Sequence, residues 1–215
     1  MKILILISKS SWANDYKKEI KTNFKKFTSN IKILHDHKDI KGNYDICIIF
    51  SYFKILPKNY LNKSNYNLIV HESNLPKGRG MSPLTWQIIN NKSEIVFSLF
   101  EAGPKIDDGK IYFKSKVFFK KDLLFDEIKR KQLSESLKLL NKFFIFFKRN
   151  KKPPKSISQK GKSTYYKKRK KEDSKLNINQ SIKSQFNLLR SCDNKNYPAY
   201  FKINGKTFIL KIIKK

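Results

Sequence analysis

Residues 2–34 open with Lys2-Ile3-Leu4-Ile5-Leu6-Ile7, continue through the stretch from Trp12 to Phe27, and close on Ile31-Lys32-Ile33-Leu34. The first run is apolar and continuous instead of alternating, the pattern of a parallel strand covered on both faces. In the middle stretch Trp12, Tyr16, Ile20, Phe24 and Phe27 recur at spacings of three to four, which predicts an amphipathic helix. Strand, helix and strand make one β-α-β unit. Outward from it the alternation continues, with candidate strands at Tyr44 to Phe50, Leu68 to His71, Ile95 to Phe100 and Ile111 to Phe119. Pro83 to Ile89 predicts a short helix, with Ser82 as its N-cap and Pro83 at its first position. The fold class that follows is α/β, a doubly wound and mostly parallel sheet.

Further along, Leu123, Leu124, Ile128, Leu133, Leu137, Leu140, Phe144 and Phe147 recur at helical spacing. They predict one long helix from Asp122 to Phe147 that closes a catalytic-sized domain of residues 1–150. Residues 151–215 read as a C-terminal extension. It starts with a polar connection containing Pro153-Pro154 and the basic run Lys167-Lys168-Arg169-Lys170-Lys171. A second helical pattern follows at Ile182, Phe186 and Leu189. The last piece is a hairpin, Tyr200 to Ile203 and Thr207 to Ile212, turning at Asn204-Gly205.

The chain has 215 residues and a formal net charge of +31, from 48 Lys and Arg against 17 Asp and Glu. Such an excess invites a polyanion partner. It is nearly all lysine and spread along the whole chain, without the clustered arginines of a nucleic-acid site. The apolar N-terminus is too brief for a signal peptide and lacks a small-residue cleavage site, so it reads as a buried strand. No apolar run approaches the roughly 20 residues that span a bilayer. With Cys47 and Cys192 alone there is no disulfide framework, and a reducing cytoplasm is expected.

Two apparent motifs fail. Gly161-Lys162-Ser163-Thr164 resembles the end of a phosphate-binding loop, but Ser156 stands where its partner glycine belongs. His35-Asp36-His37 has no evident third ligand for a metal. A third block carries chemistry. His71 ends a predicted buried strand, beside the strand termini where open α/β sheets place their ligands. The loop after it holds Pro76, Gly78 and Gly80, which permit close backbone approach to a bound molecule. A second loop, Glu101 to Gly109, carries Asp107 and Asp108. If the two loops meet, one His and one Asp form an acid–base pair.

The residues His71-Glu72-Ser73-Asn74-Leu75-Pro76-Lys77-Gly78-Arg79-Gly80, with Ser82-Pro83 after them, resemble the first signature of the folate-dependent formyltransferases. Ile106-Asp107-Asp108-Gly109-Lys110-Ile111 is similar to their second signature, and Ser51 to Lys58 resembles the segment that lines their pterin pocket. That family includes methionyl-tRNA formyltransferase and the nucleotide-sugar N-formyltransferases, and its fold is a Rossmann variant. The resemblance implies His71 and Asp107 as catalytic residues and N10-formyltetrahydrofolate as formyl donor. It implies that Phe53, Lys54, Ile55, Ser73, Pro76, Gly103, Pro104, Lys105 and Ile106 hold the donor, and it implies no metal. The segments Tyr165 to Ser174 and Asn187 to Tyr200 look like the region after the core of sugar-amine formyltransferases. They imply a nucleotide-linked amino sugar as the small-molecule acceptor, with a homodimer left open. Methionyl-tRNA is the alternative acceptor, and a non-catalytic relative that binds RNA is a third reading. In one place the chain departs from the family. Ile69 stands where the family carries Asn, and Asn67 or Asn74 is left to supply the missing amide.

Overall fold

The computed structural model describes residues 1–215. Ten strands and five α-helices form in the order β1 (Ile3–Leu6), α1 (Lys17–Lys25), β2 (Ile31–Leu34), β3 (Tyr44–Ile49), α2 (Lys58–Leu61), β4 (Ser64–His71), β5 (Arg79–Gly80), α3 (Pro83–Ile89), β6 (Glu94–Glu101), β7 (Ile111–Phe118), α4 (Phe125–Asn150), β8 (Tyr165–Tyr166), α5 (Ile182–Arg190), β9 (Ala199–Ile203) and β10 (Lys206–Leu210). Six strands make the main sheet in the order β2-β1-β3-β4-β6-β7. The first four run parallel, with Ile3 facing both Ile31 and Ile46 across the ladders. β6 then runs antiparallel to β4, and β7 antiparallel to β6.

The continuous apolar run of β1 is explained by its place in the sheet, because all four of its residues are fully buried. Ile3, Ile5 and Ile7 join Ile20 and Phe24 of α1 and Leu133, Leu140, Phe143 and Phe144 of α4 in the main core. Leu4 and Leu6 face the other way, onto Cys47, Ile49, Leu56 and Leu61. Burying each such side chain contributes about 1.5–3 kcal/mol before conformational entropy is subtracted. The two layers of cover make the sheet doubly wound, as the sequence implies.

Several elements differ from their sequence readings. The stretch from Trp12 to Phe27 divides into a 3-10 turn, Trp12–Tyr16, and then α1. Ser11 Oγ accepts the Ala13 N–H at 3.1 Å, and the Asn14 amide donates to the carbonyls of Ser8, Lys9 and Ser11, so the first turn winds tighter. Ser82 stands at the N-cap of α3 with φ of 55°, left-handed instead of the extended backbone usual for a cap, and makes no side-chain cap bond. The long helix α4 begins at Phe125 instead of Asp122, because the Glu127 carboxylate takes the Leu124 N–H at 2.8 Å and fixes the start there.

Residues 151–215 fold back onto the rest of the chain. Ile157 bridges Ile111 in antiparallel fashion, and β8 pairs in parallel with β5. Arg190 of α5 is 1% exposed and donates to the carbonyls of Lys120 and Leu123, which docks α5 beside the start of α4. The terminal hairpin turns at Asn204 and Gly205, with φ of 48° and 75°, as that dipeptide predicts. No helix is long and apolar enough to cross a membrane.

Candidate active site

The carboxyl end of β4 delivers His71 to the edge of the sheet, where it is 7% exposed. Its Nε2 lies 2.8 Å from the Gly78 carbonyl oxygen and 3.7 Å from Asp107 Oδ2. A carbonyl oxygen can only accept, so Nε2 carries the hydrogen. Nδ1 then holds the lone pair, and His71 lines the neighbouring cleft. Asp107 sits in the loop between β6 and β7 with φ of 49°, and its Oδ2 also accepts the Gly80 N–H at 2.8 Å. The two predicted loops therefore meet, and His71 and Asp107 stand side by side.

Both residues line a cleft of about 240 Å³. One wall is apolar and aromatic, made by Trp12, Ile49, Phe50, Tyr52, Phe53, Ile69 and Val70. Ser8 Oγ accepts the Phe53 N–H at 2.8 Å, and Tyr52 Oη is held 2.7 Å from His37 Nδ1, so this wall is fixed from behind. The opposite rim is residues 80–85, and the floor comes from α4 through Lys129, Gln132 and Ser136. The Lys129 ammonium donates to Gln132 Oε1 at 2.9 Å and lies 5.1 Å from the Trp12 ring centre. Burial pulls its pKa down to about 8, against the neighbouring Glu72 carboxylate, which raises it. Gln132 in turn donates to Glu72 Oε1 at 2.7 Å.

The formyl transferase family profile matches residues 37–142, the span that contains β3 through most of α4 and both site loops. The chain carries a formyl transferase domain. Methionyl-tRNA formyltransferase of Thermodesulfovibrio yellowstonii is 32% identical over 152 residues, which is 69% of this chain and 48% of that protein. The bifunctional polymyxin resistance protein ArnA of Wigglesworthia glossinidia brevipalpis is 30% identical over 188 residues, 86% of this chain and 28% of that one. The chain spans about half the length of the curated methionyl-tRNA formyltransferases it matches. Among solved structures, HypX from Aquifex aeolicus in complex with tetrahydrofolic acid superposes with a TM-score of 0.81 at 19% identity, over 99% of this chain and 37% of that one. A 4-N formyltransferase from Francisella tularensis superposes with a TM-score of 0.71 at 20% identity, over 100% and 98% of the two chains.

Against this formyltransferase frame, the residues expected at the donor are dispersed. Phe53 lines the cleft. Lys54 is turned outward onto Asp36, Nζ to Oδ2 2.5 Å, and Ile55 is 58% exposed. Ser73 is buried with its hydroxyl unpartnered, and neither it nor Pro76 lines the cleft. Gly103, Pro104, Lys105 and Ile106 form the outer loop that leads into Asp107, also outside the lining. The amide lost at Ile69 is not replaced from either expected source. Asn67 donates its side chain to the Leu61 carbonyl at 3.1 Å, and Asn74 accepts from Lys114 Nζ at 2.6 Å. Ile69 itself faces the cleft.

Gly78 and Gly80 also have a reason other than the one their sequence suggests. A Cβ on Gly78 would fall 2.7 Å from the Tyr166 ring, and one on Gly80 would fall 2.4 Å from the Tyr166 carbonyl oxygen. These glycines admit the chain itself. The residues missed by sequence reasoning are Lys129, Gln132 and Ser136. Their spacing of three and four marks one polar stripe on a helix whose apolar face alone was used to find it.

Proposed function

We propose that this chain transfers a formyl group from N10-formyltetrahydrofolate to an amine bound in the His71 cleft. The observation that carries this reading is the commitment of His71 Nε2 to the Gly78 carbonyl beside Asp107, which leaves the ring's lone pair on Nδ1. Nδ1 takes the proton that the amine nitrogen loses as its bond to the formyl carbon forms. The Asp107 carboxylate, 3.7 Å from Nε2, stabilises the imidazolium so produced. As the bond from that carbon to the folate nitrogen breaks, the same proton is available to the departing nitrogen.

The residues present fit such a donor. The apolar wall of Ile49, Phe50, Tyr52, Phe53, Ile69 and Val70 offers aliphatic and aromatic surface that suits a flat heterocycle. Its volume of about 240 Å³ suits the head of a donor and an amine; a whole drug-sized ligand fills roughly 300–1,000 Å³. When bound, the folate would supply the formyl group itself. The acceptor we favour is a nucleotide-linked amino sugar, supported by the resemblance of residues 165–174 and 187–200 to sugar-amine enzymes. A second reading, methionyl-tRNA, is favoured by the 32% identical relative and by the net charge of +31.

The test is calorimetric binding of a stable formyl-folate analogue to the wild type, Phe53→Ala and Asp107→Ala, followed by mass-spectrometric assay of formyl transfer. Saturable binding, weakened about tenfold by Phe53→Ala, is expected. Absence of binding to the wild type would reduce the likeness to ancestry. Amino-sugar nucleotides and methionyl-tRNA are then offered in parallel, and a steep loss of activity between 50 and 200 mM salt would mark the RNA acceptor.

A further inference from the structure

We propose that residues 157–166 form a positioning strap for the reacting pair, with Thr164 setting His71 and Gln159 setting Asp107. No residue of the strap itself lines the cleft, so it acts through His71 and Asp107. This inference rests on the formyl-transfer reading for its kinetic consequence and on geometry alone for its structural one.

Two hydrogen-bond chains run from the strap to the two reacting side chains. Thr164 Oγ1 accepts the Gly78 N–H at 2.8 Å, and the carbonyl of the same Gly78 holds His71 Nε2 at 2.8 Å. The Thr164 carbonyl accepts the Arg79 N–H at 2.8 Å and the Tyr166 carbonyl accepts the Met81 N–H at 3.1 Å, which completes the β5–β8 ladder on the loop after His71. On the other side, the Gln159 amide donates to the carbonyls of Asp107 at 2.7 Å and Gly109 at 2.9 Å. Its Oε1 accepts from Arg79 Nη2 at 2.7 Å. Gly80 N–H meets Asp107 Oδ2, so residues 79 and 80, Asp107 and Gln159 close a ring.

The ring has a conformation to hold. Asp107 has φ of 49°, in the left-handed region where a side chain's Cβ crowds the following carbonyl. Such backbone persists only where surroundings over-determine it. Gln159, bonded on both sides of the turn, supplies that constraint. The absence of Cβ atoms at Gly78 and Gly80 lets the strap approach closely enough to do so. The Gly161-Lys162-Ser163-Thr164 run thus has a role unrelated to phosphate. Gly161 turns the strap with φ of 98° in open space, and Thr164 is its contact point.

The experiment uses the full chain and four variants: Thr164→Val, Thr164→Ser, Gln159→Ala and Gln159→Glu. The readouts are kcat, donor KM, unfolding midpoint and the 15N resonances of the His71 ring. Thr164→Val removes the acceptor for Gly78 N–H at nearly constant shape. We expect kcat to fall about 10- to 100-fold, as a displacement near 1 Å can cost about that. Donor KM should stay within about threefold, and the His71 resonances should shift from a pure Nε2–H tautomer to a mixture. Thr164→Ser should restore all three. Gln159→Glu keeps the acceptor for Arg79 but removes the donors to Asp107 and Gly109, and should match Gln159→Ala in kcat. Turnover within twofold of wild type with unchanged His71 resonances would overturn the proposal. So would a loss of kcat that only tracks the unfolded fraction. A wild type inert with the folate donor would sink the formyl-transfer reading, while the His71 resonances of Thr164→Val would still decide the strap.

Discussion

The Asp107 carboxylate lies 3.7 Å from His71 Nε2 while one of its oxygens takes the Gly80 N–H at 2.8 Å. The charge beside the ring is therefore pinned by backbone, and the ring is pinned by the Gly78 carbonyl. Removing the base and removing the charge should have different consequences. His71→Ala should lower kcat by about 10²–10⁴, the usual contribution of a positioned proton acceptor. Asp107→Asn keeps shape but loses the charge that stabilises the imidazolium, and should lower kcat by about 10²-fold. Stopped assays at saturating donor, with unfolding midpoints recorded beside them, check both. Near-normal turnover in His71→Ala would remove this residue from the mechanism.

Glycines distinguish close packing from mere backbone freedom. A Cβ on Gly109 would fall inside the Glu101 carbonyl, at the antiparallel corner between β6 and β7. Gly161 has φ of 98° but nothing near the position of a Cβ. Gly109→Ala should therefore destabilise by about 3 kcal/mol through overpacking. Gly161→Ala should cost about 1 kcal/mol, from backbone strain alone. Urea unfolding curves with a common slope measure the difference, and equal losses would contradict the steric assignment.

Lys129 makes stability depend on pH in a defined direction. Burial lowers its pKa to about 8 in the folded chain, whereas an unfolded lysine titrates near about 10.4. Between those values the unfolded chain binds more protons, so this residue's destabilisation fades as pH rises. Below pH 8 both states are charged and the full desolvation cost is present. Lys129→Met should thus be more stable than wild type at pH 7, with the gap closing towards pH 10. Paired urea midpoints at the two pH values test this; a constant gap would show that the ammonium is not desolvated.

What the sequence made legible were features of short range. β1, α1 and α4 follow from apolar spacing, because each buries one continuous run or one stripe. The antiparallel direction of β6 was not legible, since Ile95 to Phe100 carries the same apolar pattern whichever way it runs. His71 and Asp107 were found through two local loops. The hold on them was not, because Thr164 lies 86 residues from Gly78 and Gln159 lies 52 from Asp107. Thr164 also sat inside a false phosphate-loop pattern. Lys129 falls outside the apolar spacing that marks α4, between Ile128 and Leu133, and no local pattern shows that it lines the cleft.

Ile69 is the strongest departure from the family signature, and its surroundings decide what restoring the amide should do. Its side chain faces the cleft and packs against Leu75, Phe100 and Ile111. Asn67 and Asn74 are occupied elsewhere, so no asparagine amide lines the site. In Ile69→Asn a new N–H donor enters two residues before His71 on the same strand face. A single preorganised donor at developing negative charge is worth about 10²–10³ in kcat when removed from a site built around it. Introduced into a site that has adapted without it, the donor should raise kcat by about tenfold, with donor KM within about threefold. The lost apolar contact should cost about 1–2 kcal/mol of stability, visible as a lower urea midpoint. A higher kcat at lower stability would identify Ile69 as the residue that limits catalysis. An unchanged or lower kcat would mean that the charge on the formyl oxygen is already met, and the Lys129 ammonium on the cleft floor becomes the residue to replace next.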